Sequence, residues 1–311
     1  MKVRFITRKG DWSNSNSGKG FFIARLLPAL ERIGVECVTT TDGDVDIDFH
    51  MSRFHYKSKR CKKKILRLGP VHADTRKNLK YLNHLKQQAL KRCDGVIYQS
   101  KFSKKMCDKF IGKAKNKIAI VFNGANPEAY NAEPAGSQYK YNFLASTRNW
   151  IELKRLPQII ESFNRAAVKD SCLWIAGDLD KNRKVDQDNI IYLGPLTQDE
   201  LPLYYATCHT VIHGVYIDAS PNAVTEALVA GCSVICGDQG GTHELGCQAV
   251  IPEKEWNFKP FNYKKSPKMD CSKWAEAIRS TLDRTGNNAP HLQIDNIAKQ
   301  YKAFFEEVLN G

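Results

Sequence analysis

Long hydrophobic runs are missing from this 311-residue chain. No stretch reaches the ~18 consecutive apolar residues that a membrane-spanning helix needs, which excludes an integral helical membrane protein. The opening residues, MKVRFITRKGDW, lack the apolar core of a secretory signal and read as a first β-strand. A soluble, cytoplasmic protein is expected, with peripheral membrane association left open. Zinc-type CxxC pairs are also absent, although the chain holds ten cysteines. Cys232 and Cys236 fall together, but inside a strand pattern. A metal or disulfide role for these cysteines stays open, and reduced, mostly buried thiols fit better. Neither a Walker loop nor a dinucleotide fingerprint occurs, so the common nucleotide-binding motifs give no help.

What is present is an ordinary globular composition, 42% hydrophobic and 26% charged, with length for about two domains. The formal charge of +14 is unevenly spread. Residues 1–138 hold 28 Lys and Arg against 12 Asp and Glu, whereas residues 139–311 hold 19 against 21. An excess confined to one half marks a face that meets a polyanion, either nucleic acid or an anionic membrane.

Strands and helices alternate along the chain. Val3 to Thr7 reads as a strand, followed by the polar loop Asp11 to Gly20 and a helix from Phe21 to Ile33. Strand, small polar loop and helix form a plausible phosphate cradle, to which Lys19 would add a point charge. A plain surface loop is the rival reading. Asp42, Asp44, Asp46 and Asp48 alternate with Gly43, Val45 and Ile47, and period two places the acids on one strand face, which reads as solvated, with a DxD pair for a divalent metal and a nucleotide sugar as the rival reading. The basic run Arg53 to Lys64, RFHYKSKRCKKK, interleaves aromatics with charge and suits a flexible loop on phosphates or lipid headgroups. Ile65 to Leu68 is a strand ending in Gly69-Pro70, with His72 and Asp74 beyond it. Helices follow near 75–92 and 103–111, with strands at 95–99 and 117–122. Residues 127–140, PEAYNAEPAGSQYK, read as a linker.

The second half repeats this architecture. Strands fall at 141–146, 172–176, 190–193 and 210–213, with helices near 154–168, 198–207, 272–283 and 294–309. Alternation in both halves implies an α/β protein of two parallel-sheet, Rossmann-like domains. The expected division is 1–130, a connection at 131–140, 141–290, and a closing helix within 291–311. The most informative stretch is HGVYIDASPNAVTEALVAGCSVICGDQGGTHEL, residues 213–245. A strand ends at His213, a loop carries Asp218, and Ser220-Pro221-Asn222 opens a helix bearing Glu226. A loop between a buried strand and a helix start is where α/β sheets place ligands, and helix N-termini attract anions.

Several phrases, in order, resemble the retaining glycosyltransferases of family 4, which have the GT-B fold. They are DGVIYQSKFSKKM, KIAIVFNGAN, STRNWIELKRLPQIIESF, LWIAGD, IIYLGPLTQDELPLYYATCHTVI and SPNAVTEALVAGCSVI, together covering roughly residues 94–250. The resemblance implies two Rossmann-like domains facing a central cleft, with the last helix packing back on the first domain. It implies transfer of a sugar from a nucleotide-diphosphate sugar to a hydroxyl, with retention and with no cofactor required. Arg148 and Lys154 would neutralise the departing diphosphate. Glu226 would accept hydrogen bonds from the ribose, and Asp218, where the family usually has Glu, would touch the transferred sugar. Pro221, Asn222 and Ala223 would line the sugar and phosphate. From the other domain, Gly18, Lys19 and Gly20 would approach the diphosphate, with Lys19 breaking the family's two-glycine pattern. His72 would face the reacting carbon and acceptor. Gly69-Pro70 stands where one subgroup has Asp-Gly. The basic half would hold the acceptor through Arg53, Lys57, Arg60, Lys62, Arg67 and Asp74. DNA bearing hydroxymethylated bases is the favoured polyanionic acceptor. A lipid-linked or polysaccharide glycan at an anionic membrane is the rival, and a non-catalytic nucleic-acid-binding module on the same scaffold is the alternative of another class. No obligate protein partner is readable.

Overall fold

The computed structural model describes residues 1–6, 18–54, 60–283 and 288–311. The chain divides into two compact units: residues 1–125, 258–261 and 291–311, and residues 126–257 with 262–290. Each is built on a six-stranded sheet whose paired strands all run parallel.

In the first unit the strands are β1 (Lys2–Ile6), β2 (Glu36–Val38), β3 (Val45–Met51), β4 (Cys61–Leu68), β5 (Gly95–Tyr98) and β6 (Lys117–Ile120), in the order β2-β1-β3-β4-β5-β6. Its helices are α1 (Gly18–Arg32), α2 (Leu79–Leu90), α3 (Lys101–Phe110) and α8 (Ile294–Leu309). Apolar residues recur along α1 at Phe22, Ile23, Leu26, Ala29 and Leu30, and along α8 at Ile294, Ile297, Ala298, Tyr301, Phe304, Phe305 and Val308. These 3.6-period stripes bury against Val3, Phe5, Ile47 and Phe49 of the sheet and make one core. Within it Phe49 meets the rings of Phe5, Tyr301 and Phe305 at 4.9, 5.9 and 5.9 Å.

Four local expectations are corrected here. The first helix begins at Gly18, so Gly18, Lys19 and Gly20 form its first turn rather than a loop; the rest of the expected cradle, residues 7–17, lies outside the described residues. The acids of β3 are not a solvated face. Asp48 is fully buried against the equally buried Arg4 of the neighbouring strand, at 3.3 Å, and Asp46 pairs with Lys62 at 2.7 Å. The basic run is not one flexible loop either: Cys61 to Lys64 belong to β4, where Cys61, Lys63 and Lys64 stand in parallel register with Val45, Ile47 and Asp48 of β3. The second helix is shorter than expected and starts after Asn78, whose side chain caps it by accepting from Tyr81 N.

The second unit contains β7 (Tyr141–Asn149), β8 (Ser171–Asp178), β9 (Ile190–Gly194), β10 (Thr210–His213), β11 (Ser233–Gly237) and β12 (Ala249–Ile251), in the order β12-β11-β10-β7-β8-β9. Around them lie α4 (Leu156–Ala166), α5 (Leu201–Thr207), α6 (Asn222–Val229) and α7 (Cys271–Ser280). The stripe Leu156, Ile159, Ile160 and Phe163 of α4 meets Trp274, Ala275 and Ile278 of α7 over Phe143 and Ile212. The expected linker is not a free tether. Pro127–Tyr130 is a 3-10 turn, and the chain after it bonds within this unit: Ala135 N donates to Leu203 O and Thr207 Oγ1 to Ala135 O. All ten cysteines are unbridged, most of them buried. Among the described residues no helix is long and apolar enough to cross a membrane, and no group of three His, Cys, Asp or Glu could hold a metal ion.

Candidate active site

Strand order marks a candidate site in the second unit. The sheet runs one way from β7 to β8 and the other way from β7 to β10. Open α/β sheets bind ligands at the carboxyl ends of the strands flanking such a reversal. Arg148 stands at that end of β7, and His213 ends β10.

The backbone at Arg148 is irregular for a visible reason. The register between β7 and β8 shifts between Ser146 and Asn149, so one extra residue is accommodated on β7. Gly177 lies opposite, at φ +123°, and a Cβ there would come 1.9 Å from Thr147 O. Only glycine permits that approach. Trp150 then pins the chain by donating Nε1–H to Ala176 O at 3.1 Å. Arg148 is left exposed on this bulge.

Lys154 closes a 3-10 turn, Glu152–Lys154, before α4, rather than sitting in the helix. It is half-buried, and its ammonium makes no hydrogen bond or ion pair among the described residues. Arg155, which the sequence did not single out, turns the chain between the two helical pieces at φ 57°. Its guanidinium is buried, donating from Nε to Gly214 O at 2.5 Å and pairing with Glu253 at 2.7 Å. Burial pushes both groups of this pair toward their neutral forms, and their mutual attraction opposes it. Gly214 has no room for a side chain, since a Cβ would lie 2.8 Å from Ile159 Cδ1. The turn carrying Lys154 therefore packs directly on the chain just after His213.

His213 is buried, and its Nε2 has no hydrogen-bond partner. Burial, then Lys154 and Arg155, push its pKa down to about 3. It is a neutral imidazole beside two cations.

The loop after it is held from behind. Gly240, at φ +108°, would put a Cβ 2.8 Å from both Asp218 N and O, and Gly241 N donates to Asp218 O at 2.6 Å. The half-buried Asp218 accepts from Ala219 N at 2.7 Å. Pro221 is the N-cap of α6 and gives it no side-chain cap. Asn222 and Ala223 occupy its first turn, half-buried. Glu226 lies one turn further, 5% exposed. Tyr205, a second residue the sequence left unmarked, is fully buried on α5. Its hydroxyl donates to Ala223 O at 3.1 Å and lies 3.3 Å from Ser146 Oγ, joining α6 to β7. Burial, then the nearby Glu226, raise its pKa. The arrangement thus brings two cations, an uncapped helix start and two carboxylates to one end of one sheet. Cations and backbone N–H groups suit a diphosphate; carboxylates suit hydroxyls.

The residues expected in the first unit scatter more widely. Gly18, Lys19 and Gly20 open α1, and Lys19 Nζ donates to Ser52 Oγ at 2.6 Å. Arg53 follows β3, half-buried, and Arg60 is exposed before β4. Lys62 is exposed but paired with Asp46. Arg67 is 2% exposed: it donates from Nε to Tyr301 OH at 2.7 Å and from Nη2 to Asn123 Oδ1, and its guanidinium lies 4.2 Å over the Phe22 ring. His72 is half-buried, and Asp74 is buried against Arg76 at 2.7 Å. Lys57 lies outside the described residues.

Comparison with known proteins follows the same division. The whole chain is similar in fold to sucrose-phosphate synthase (tll1590) from Thermosynechococcus elongatus, with TM-score 0.73, 12% identity and 99% of each chain covered. It is similar to Anabaena Alr3699/HepE, solved in complex with UDP-glucose, with TM-score 0.68, 13% identity, and 99% of this chain and 100% of that one covered. AviGT4, a glycosyltransferase involved in avilamycin A biosynthesis, gives TM-score 0.66, 14% identity, and 100% and 98% coverage. No curated protein sequence matches the chain. The two six-stranded parallel sheets with flanking helices are those of the GT-B fold. Residues 140–283, the part that carries Arg148, Lys154, Asp218 and Glu226, match the family described as glycosyl transferases group 1.

Proposed function

We propose that this chain is a retaining glycosyltransferase that uses a nucleotide-diphosphate sugar. The observation that carries the reading is the convergence of Arg148, Lys154, Glu226 and the uncapped start of α6 at the strand reversal of the second unit. Arg148 and Lys154 neutralise the diphosphate as it leaves, so charge is stabilised where it develops and no metal is needed. The first-turn N–H groups of Asn222 and Ala223 meet phosphate and sugar. Glu226 accepts from the ribose hydroxyls, and Asp218 contacts the transferred sugar. In this family's chemistry the departing phosphate itself takes the acceptor proton. His72 serves the acceptor. HepE was solved with UDP-glucose, which makes uridine the first nucleotide to test.

The acceptor reading rests on charge. The residues of the first unit include 31 Lys and Arg against 13 Asp and Glu. DNA with hydroxymethylated bases offers both a polyanion and a hydroxyl, and its base would be extruded for reaction. Arg148→Ala or Glu226→Ala should abolish donor hydrolysis and transfer; retained activity in both would sink the assignment. Steeply salt-dependent binding to duplex DNA, but not to anionic vesicles, supports the nucleic-acid acceptor. The reverse supports the membrane glycan.

A further inference from the structure

The first unit also has a strand reversal, at β1 between β2 and β3. Beside it, at the carboxyl ends of β3 and β4, lies a group of cations whose bonding is unusual. Arg67 is buried, yet its hydrogen-bond partners are the neutral Tyr301 and Asn123. Lys86 of α2 is 7% exposed, and its ammonium donates to the backbone carbonyl of Pro70 at 2.5 Å, just past β4. Lys19 reaches inward from the first turn of α1 to the hydroxyl of Ser52, and Ser52 N donates to Arg67 O at 2.8 Å. His72 is clamped through its backbone, which exchanges hydrogen bonds with the Asn83 side chain at 2.9 and 2.8 Å.

Asp74, just past β4, is committed to Arg76, and the acids of β3 pair toward the amino ends of the strands, Asp46 with Lys62 and Asp48 with Arg4. Among the described residues none pairs with Arg67, Lys86, Lys19 or His72. Buried charges are ordinarily paired, because desolvation without a counterion is costly. Two buried cations at the carboxyl edge of a parallel sheet, Arg67 and Lys86, therefore lack an anion among the described residues, and the exposed Lys19 and half-buried His72 stand beside them.

We infer that Arg67, Lys86, Lys19 and His72 form a site for a phosphate group of the acceptor. That the phosphate belongs to the acceptor rests on the transferase reading; that a phosphate binds here does not. Burial first, and mutual repulsion second, hold three of these groups toward their neutral forms. Burial and then Lys19 push Lys86 down to about 8. Burial, then Lys86, Lys77 and Lys19, push His72 down to about 4. Lys19 is lowered by burial of its ammonium, then by Arg67 and Arg53. A bound phosphate reverses each of these effects by supplying the missing charge.

The test uses the full chain with uridine diphosphate present in excess, so that the second unit's cations are occupied. Inorganic phosphate is titrated by calorimetry and by thermal shift into wild type, Lys86→Met and Lys86→Arg. Wild type binds and shifts upward. Lys86→Met weakens the phosphate by at least ~10-fold, and Lys86→Arg restores most of it. Without phosphate, Lys86→Met melts no lower than wild type, because it removes a buried charge that has no counterion. An equal phosphate shift in Lys86→Met and wild type would overturn the site. So would loss of uridine diphosphate affinity in Lys86→Met, since that places the residue at the donor. Arg148→Ala gives the opposite pattern if the donor reading holds, and its failure to do so leaves the phosphate result standing. Competition then identifies the source. A short oligonucleotide that displaces phosphate assigns the site to a nucleic-acid backbone, and a sugar phosphate that does so alone assigns it to a phosphorylated small acceptor. Displacement by neither overturns the link to the acceptor.

Discussion

His213 gives the sharpest physical test, because its effect is set by acidity alone. In an unfolded chain its imidazole takes a proton below about pH 6.5. In the folded protein, burial and the charges of Lys154 and Arg155 hold that proton off until about pH 3. Between those values the unfolded state binds the extra proton, so stability rises with pH through the window and is fully present above it. Falling from pH 7 to pH 5 then costs about 2 kcal/mol from this one residue. The half-exposed His72, held down to about 4, acts in the same direction but is weakened by solvent. Urea unfolding of wild type and His213→Gln at both pH values isolates the contribution. His213→Gln has its own cost, but that cost cancels in the comparison across pH. The wild type should lose about 2 kcal/mol more than the variant on acidification. Equal losses would show that His213 is not the buried neutral base described here.

Two further results follow from contacts around the site. Glu253→Gln leaves the Arg155 guanidinium buried without a counter-charge and should cost ~3–5 kcal/mol by urea unfolding, whereas Arg155→Met combined with Glu253→Leu should lose far less. Gly240→Ala strains a φ of +108° and drives a methyl against Asp218 N and O. It should destabilise by ~1–3 kcal/mol and raise the dissociation constant of the nucleotide sugar, read by calorimetry.

The architecture was legible because period decides it. Alternating apolar runs and 3.6-period stripes announced both sheets, and nearly every helix was found within a few residues. What escaped detection were features made by distant partners. The three-residue β12 has too little pattern of its own and exists because Ile235, Cys236 and Gly237 offer it a ladder. Phe258–Phe261 reads as loop, yet Phe261 bridges Asp74 in the first unit. At the candidate site, the chain positions of Arg148, Lys154, Asp218 and Glu226 at strand ends and helix starts are readable from spacing. Their supports are not. Arg155 looks like one more basic residue beside Lys154, and nothing local says that Glu253 lies against it. Tyr205 sits in an apolar helix pattern that predicts burial but not a hydroxyl shared between Ser146 and Ala223. The assignment of Asp48 to a solvated face failed for the same reason: its partner Arg4 lies 44 positions away in the sequence.

The closing helix α8 has a consequence for synthesis. The hydrophobic interior that Val3 and Phe5 enter is completed by residues from Ile294 to Val308. The first unit is thus opened by β1 and cannot be sealed until residues 294–308 have left the ribosome. Residues 126–257 and 262–290 meet no such delay, since every strand and helix of the second unit is made before α8. Growth from the N-terminus would usually let the leading domain fold first. Here the order inverts. The trailing unit reaches its final packing while the basic leading one waits, its apolar sheet face uncovered, for its last helix.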